Sequence, residues 1–394
     1  MKTKVVYLIN EISDGGAETL VKDYALNLDK NLYDVFIITE SECAHDSANY
    51  KILQNNKIKI YSALSSYNET FRSKLYYIIK CKLLSLIPYH FIKKFQTWYI
   101  KRSLRKIKPQ IIHAHMQVLK HLVPIAQELD QVKLFYTCHS LPVRYFNQKE
   151  CLDEFLAAKF LISNNNLTLI GLHEEMREEL NSIFKIDSTK TLRNCVNLNR
   201  FYSVLNKKEK KTIRRQENIP QDAFVIGHVG RFIWIKNHNF IIEIFKKLHQ
   251  KNNKAFLLLV GAGDTSEITQ KLSSYKLDGC YKILSNRTDV PELLLCMDTF
   301  LFPSYFEGLP IACIEAQAMG LRCLISQTIT KDVFFSQMAI PANIEDSADK
   351  WVEMILNKEY TGTYTNDIEK FNIKNVMKDL IRIYSSSTNF HQEN

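Results

Sequence analysis

Acidic side chains are missing altogether from one stretch of this chain. Residues 71–108 carry eleven lysines and arginines and not one aspartate or glutamate. The chain's formal net charge is +10, so its whole surplus resides in that segment. A basic stripe of this kind supports nonspecific attraction to anions, but no nucleic-acid-binding module is recognisable, and no nucleic-acid partner is expected. Long apolar runs are missing too, none approaching the roughly 20 residues of a membrane-spanning helix. The nine cysteines follow no framework and contain no Cys-x-x-Cys pair. That argues against a disulfide scaffold and fits a reducing cytoplasm, with the cysteines as small apolar residues. No Gly-x-Gly-x-x-Gly opens a helix anywhere, which counts against a nicotinamide dehydrogenase. His113-Ala114-His115 hints at a metal, but without a third ligand nearby the pair reads as strand-end histidines in a loop cluster. Glu11 and Asp14 interrupt the first apolar run early, so 5–10 reads as a first strand rather than a leader.

What is present is an ordered globular composition. At 394 residues and 46% hydrophobic content the chain can build two cores. Strand patterns fall at 5–10, 33–40, 57–63, 110–116, 133–140, 167–172 and 189–194. Helices are expected in most of the gaps, including 17–28 and 174–184, as in a parallel doubly wound sheet. A linker near 197–200 and a lysine-rich stretch at 207–215, expected to be solvated, precede a second set of strands. These fall at 224–229, 256–261, 281–284, 299–303 and 323–326. The domains are therefore read as 1–196, 197–365 and a C-terminal helix with tail, 366–394, packing back towards the first domain.

The most informative residues are 302–320. They read as strand, tight loop and helix, with Pro310 at the first helical position and Gly320 just past the end. Gly308 would expose the backbone amides of Gly308, Leu309, Ile311 and Ala312 to an anion at the helix start. Glu307 stands in the loop and Glu315 lies eight residues on, inside the helix. Amides for phosphate and carboxylates for hydroxyls suit a sugar diphosphate.

Glu307 and Glu315, set among Phe302-Pro303-Ser304, Gly308-Leu309-Pro310 and Ala316, resemble the E-x7-E signature of retaining glycosyltransferases of family 4. Gly230-Arg231 with Lys236 resembles that family's Gly-Arg-…-Lys-Gly segment, with Asn237 in place of its last glycine. Asn is the commonest non-glycine residue at positive φ, so the turn is expected to survive. Ser13-Asp14-Gly15-Gly16-Ala17-Glu18 resembles the family's Gly-Gly-Ala-Glu start, where paired glycines let backbone approach a ligand. Tyr136-Thr137-Cys138-His139-Ser140 places His139 where the family has a histidine beside the reacting sugar. The segment from Arg287 to Leu294, with Val290, resembles a loop under the nucleotide base. It also reads as a helix N-terminus with Asp289 as cap and Pro291 in the first turn. At the interdomain junction Asn194-Cys195-Val196-Asn197 departs from the family's Asn-Gly-[Val/Ile]-Asp.

The resemblance implies an α/β GT-B fold, two Rossmann-like doubly wound domains facing across a cleft, with the acceptor bound by 1–196 and the nucleotide sugar by 197–365. It implies a retaining transfer of a hexosyl unit from a nucleotide sugar, UDP-linked by expectation, to a glycan or lipid-linked glycan acceptor, the lipid being a polyprenyl diphosphate, in cell-surface polysaccharide synthesis. By that resemblance the catalytic residues are His139, Arg231, Lys236 and Glu307. Donor binding falls to Gly15, Gly16, Arg231, Lys236, Arg287, Val290, Glu307, Gly308, Leu309, Pro310, Ile311 and Glu315. No Asp-x-Asp occurs, so no metal cofactor is expected, and the two cations with the helix amides would take the diphosphate charge. A non-catalytic accessory subunit on the same scaffold is the alternative. An epimerase would need an acid–base set that is not identifiable. In the basic segment, Leu75, Ile79, Leu83 and Ile87 recur at helical spacing and Pro88 ends that helix. A second helix would carry Ile92, Phe95 and Tyr99. Interleaved cations and aromatics are expected to dock on an anionic membrane, at the inner face of the plasma membrane.

Overall fold

The computed structural model describes residues 2–41, 43, 47–63, 89–165, 167–359, 362 and 367–386. The chain divides into two compact units, 1–171 with 177–191 and 380–394, and 172–176 with 192–379. Each is built on a parallel sheet whose strands are near-continuous apolar runs. Val5, Val6, Tyr7, Leu8 and Ile9 are all fully buried, as strands covered on both faces must be.

The first unit holds β1 (Thr3–Ile9), β2 (Tyr33–Thr39), β3 (Lys59–Ser62), β4 (Ile111–His115), β5 (Lys133–Thr137), β6 (Thr168–Gly171) and β7 (Lys190–Thr191). Their order is β3-β2-β1-β4-β5-β6-β7. Val5 pairs with Val35 on one side and with Ile111 on the other, so the winding reverses between β1 and β4. His113 and His115 lie within β4 and are fully buried, not in a loop cluster. The helix Gly16–Asn27 follows β1, and the 19-residue helix Tyr89–Ile107 precedes β4. The first of the two helices expected in the basic segment lies outside the described residues, with Leu75, Ile79, Leu83, Ile87 and Pro88. The helix Ile373–Ser386 brings Tyr384 into this unit, where its hydroxyl meets His113 Nδ1 at 2.9 Å.

The second unit holds β8 (Phe224–Val229), β9 (Ala255–Gly261), β10 (Tyr281–Ser285), β11 (Thr299–Phe302), β12 (Arg322–Ser326) and β13 (Ala339–Ala342). Their order is β10-β9-β8-β11-β12-β13, again with one reversal, between β8 and β11. Strands pack Ile226, Leu257, Leu259, Leu301 and Leu324 against Ile241, Phe245 and Trp351 of the covering helices. The edge strand β13 escapes the sequence pattern because it is short and carries the exposed Pro341, which a sheet tolerates at its rim. The lysine-rich stretch is not solvated throughout. It forms the helix Lys210–Gln216, and Arg214 is buried, donating to the carbonyls of Ala223 and Cys296 and to Asp298. Leu198–Lys207, where a linker was expected to begin, is also helical, with Leu198, Phe201 and Val204 on its buried face.

Candidate active site

In open α/β sheets ligands bind beyond the carboxyl ends of the strands, where the winding reverses. In the second unit that point lies between β8 and β11, and the loops leaving those two strands carry Arg231, Lys236 and Glu307. The loops are tied to each other. Tyr305 N–H donates to Ile235 O at 3.0 Å, and Asn237 Nδ2 donates to Pro303 O at 3.2 Å. Tyr305 O–H donates to Asn237 Oδ1 at 3.2 Å. Asn237 has φ 55°, the left-handed conformation expected of it in place of the motif's glycine, and it precedes the helix His238–Lys251. Two glycines make the approach possible. A Cβ on Gly261 would lie 1.9 Å from the Gly230 carbonyl oxygen, and one on Gly230 would meet His228 Nε2 at 2.9 Å and Lys236 Cε at 3.2 Å.

Across these loops Lys236 Nζ donates to Glu307 Oε1 at 2.5 Å and sits 4.8 Å above the Phe302 ring. Both side chains are largely buried, 14% and 18% exposed. Arg231 is exposed, and its guanidinium has no hydrogen bond or ion pair among the described residues. It is the available cation of the pair. The helix after Glu307 runs Ile311–Ala318, so Pro310 is its cap, at φ −71° and ψ 114°, rather than its first residue. Its extended ψ turns the Gly308-Leu309 backbone out of the helix before the first turn begins. Gly308 and Leu309 are buried and Ile311 is half-buried. Asn194 Nδ2 donates to Leu309 O at 2.6 Å and holds that backbone in place. Glu315 is half-buried in the second turn of the same helix, and Gly320 ends it at φ 69°.

Arg287 and Val290 lie after β10, on the same sheet. Arg287 is gripped by two carboxylates, through Nε to Asp289 Oδ1 at 2.7 Å and through Nη2 to Glu217 Oε1 at 2.6 Å. Asp289 does precede the helix Val290–Leu295, but its carboxylate serves Arg287 and makes no cap hydrogen bond. Those hydrogen bonds hold the Arg287 guanidinium firmly charged and depress both carboxyls.

In the first unit, Gly15 caps and Gly16 opens the helix after β1, and His139 follows β5. His139 Nε2 shares a 2.9 Å hydrogen bond with His115 Nδ1. His113 in turn meets Thr137 Oγ1 at 2.7 Å. Burial pulls the His139 pKa down to about 4 and that of His113 to about 3, with the neighbouring His139 adding to the latter. All three imidazoles are therefore neutral near pH 7 and act as hydrogen-bonding groups, not cations.

Sequence reading passed over several residues of the second unit. His173, buried beside the Gly308 backbone, has its pKa lowered chiefly by that burial. Ser304 is fully buried, and its hydroxyl has no hydrogen-bond partner among the described residues. Trp234, between Arg231 and Lys236, is 68% exposed. A strand-end histidine and a tryptophan inside a polar loop were the available signals. Among the described residues no three His, Cys, Asp or Glu side chains gather as metal ligands do. No described helix is long and apolar enough to cross a membrane.

Two family models match the chain, Glycosyltransferase Family 4 over residues 14–200 and Glycosyl transferases group 1 over residues 209–338. The chain belongs to the family 4, group 1 glycosyltransferases and has their GT-B fold. Bacillus subtilis EpsF, named as a glycosyltransferase, is 25% identical over 98% of this chain and 97% of its own. An Escherichia coli UDP-Gal:α-D-GlcNAc-diphosphoundecaprenol α-1,3-galactosyltransferase is 28% identical over 62% of this chain and 64% of its own. Among solved structures, Anabaena HepE in complex with UDP and glucose superposes with a TM-score of 0.72 at 17% identity, covering 98% of this chain and 100% of that one.

Proposed function

We propose that this glycosyltransferase moves a hexosyl unit from a UDP-sugar to a lipid-linked glycan, with retention at the anomeric carbon and without a metal, in the synthesis of a cell-surface polysaccharide. The observation that carries this reading is the paired loop system at the β8/β11 reversal, where Lys236, Glu307 and Arg231, unpaired among the described residues, stand beside the Gly308–Ile311 helix start. Arg231 and Lys236 would stabilise charge on the departing diphosphate, which preorganised cations do best. The amides at Gly308, Leu309 and Ile311 would add partial positive charge. Glu307 would hold sugar hydroxyls and Glu315 the ribose diol. Neutral His139 would accept or donate a hydrogen bond at the donor sugar, and Gly15 and Gly16 would let backbone approach it. With Arg287 held by two carboxylates, its place under the base would be as a support for the Val290 loop. The acceptor's lipid diphosphate follows the E. coli relative's printed activity.

The same reading places the enzyme on an anionic membrane surface at the cytoplasmic face. Along the helix Tyr89–Ile107, Phe91, Phe95 and Trp98 are exposed on one stripe, and Arg102 lies over the Trp98 ring. Exposed Lys94 and Lys106 flank that stripe, Arg105 is paired with Glu128, and the helix itself has no acidic residue. Leu152, Leu156 and Phe160 extend the apolar exposure on the helix Leu152–Asn165, joined to the first by the Lys93–Asp153 ion pair. Aromatic anchors among cations are what interfacial helices use.

The test is a screen of radiolabelled nucleotide sugars with lipid-linked saccharides extracted from polysaccharide-producing bacteria. Label should enter the lipid fraction from a UDP-sugar, with the α-configuration of the donor kept in the product. Failure of every nucleotide sugar to label lipid would overturn the reading, and an inverted product would overturn retention.

A further inference from the structure

We propose that His115 is the positioning residue of His139, holding it as the Nδ1–H tautomer so that it meets its ligand as a hydrogen-bond donor. The inference rests on the reading of His139 as a group at the donor sugar and sharpens it. The ligand atom facing His139 must then be a hydrogen-bond acceptor, such as a sugar oxygen.

The two imidazoles are aimed at each other. His115 Nδ1 and His139 Nε2 are 2.9 Å apart with the ring centres at 5.2 Å, so both nitrogens lie between the centres rather than in a stack. Both rings are neutral near pH 7, because burial disfavours their charged forms. A neutral imidazole has one N–H and one lone pair, so one ring must donate and the other accept. Either His115 donates from Nδ1 and His139 accepts at Nε2, or the roles are reversed.

The far nitrogen of His115 decides between them. His115 is fully buried, and its Nε2 has no hydrogen-bond partner among the described residues. The rings of His113, Tyr7 and Tyr24 surround it. If His139 donated, His115 would have to carry its proton on Nε2, a buried N–H with nothing to receive it. Such a group forfeits its hydration, and orphaned N–H groups are rarer in proteins than under-used acceptors. His115 therefore keeps its proton on Nδ1 and donates. His139 accepts at Nε2 and so carries its own proton on Nδ1. That nitrogen has no hydrogen bond among the described residues, on a half-buried side chain just after β5. His113 exerts no such control, since its nitrogens meet the hydroxyls of Tyr384 and Thr137, which can each donate or accept.

Nitrogen-15 NMR of the full chain labelled in histidine tests this, with the rings assigned by their loss in His139→Gln and His115→Asn. At pH 7 the wild type should show both His115 and His139 protonated at Nδ1, the reverse of the Nε2–H form that free histidine favours in water. Removing the donor in His115→Leu should return His139 to Nε2–H. His115→Asn, whose amide N–H stands near the place of the imidazole Nδ1–H, should restore the Nδ1–H form. With the UDP-sugar that the wild type uses, His115→Leu should lower kcat/KM for the donor about tenfold, on the scale of one lost hydrogen bond. Inhibition by free UDP, which has no sugar, should stay in place, and His115→Asn should recover most of the rate. His139 found as Nε2–H in the wild type, or still as Nδ1–H in His115→Leu, would overturn the proposal. The wild-type spectrum decides even where a variant fails to fold. Equal losses of kcat/KM and of UDP inhibition would make His115 structural only and overturn it too. The expected tautomers in a protein that transfers no sugar would keep the His115–His139 arrangement and strike the transferase reading instead.

Discussion

Lys236 and Glu307 form an ion pair whose separate effects on stability and turnover can be pulled apart. Their charged atoms are 2.5 Å apart and the side chains are 14% and 18% exposed. At an effective dielectric constant of about 20, unit charges at about 4 Å attract by about 4 kcal/mol, less the cost of their desolvation. Lys236→Met would leave Glu307 largely buried without its cation, and Glu307→Gln would do the reverse. Allowing for the remaining solvent access, each single variant should lose about 2 kcal/mol in urea unfolding. The double variant holds no orphaned charge, so it should lose less than the sum by about 1–2 kcal/mol. Turnover should behave otherwise. Each single change should lower kcat by about 10² to 10³, with a smaller effect on inhibition by free UDP, because the cation acts most on charge that develops in the transition state. The double variant should stay as slow as the singles. Recovery of kcat together with stability would mean that the pair is only structural. An unchanged kcat with a raised donor KM in Lys236→Met would mean that the lysine only anchors the donor.

Activity should persist in excess EDTA, and loss of turnover restored by Mg²⁺ or Mn²⁺ would sink the metal-free proposal. Glu315→Ala should mainly raise the donor KM, since a ribose contact is alike in ground and transition states, and a variant that fails to fold would make the glutamate structural. His113 is held neutral in the folded protein, with its pKa at about 3 against an ordinary 6.5. Its contribution is therefore complete above pH 6.5 and is lost as the pH falls towards 3. Between pH 7 and pH 5 the wild type should lose about 2 kcal/mol more unfolding free energy than His113→Gln, and parallel losses in urea melts would refute this. The protein should sediment with anionic but not neutral liposomes and be released by salt, and equal recovery in the supernatant with both at low salt would refute membrane docking.

Much of the fold was legible because buried parallel strands advertise themselves as apolar runs. The expected strand 224–229 matches β8, and 5–10 overlaps all but the first two residues of β1. What misled was context that tertiary packing supplies. Arg214 reads as one more solvated cation, yet the carbonyls of Ala223 and Cys296 and the carboxylate of Asp298 satisfy it in a buried position. Pro310 reads as a first helical residue, because its φ suits that place equally well. Its extended ψ, part of the turn that follows Glu307, made it the cap. Strand-end histidines read as loop residues, but His113 is stitched into the sheet by Tyr384, 271 positions away, which no local pattern announces.

The site shows the same division more sharply. Lys236, Asn237 and Glu307 are legible as motif residues because their positions are over-determined. Asn237 must take φ 55° and bond Pro303, and Lys236 must cross to Glu307, so few other residues would serve. The Arg231 and Trp234 side chains are under no such constraint, being exposed and without side-chain hydrogen bonds among the described residues. A motif therefore reports the rigid, tied part of the site, and that part is suited to what all donors share, a diphosphate and a sugar ring.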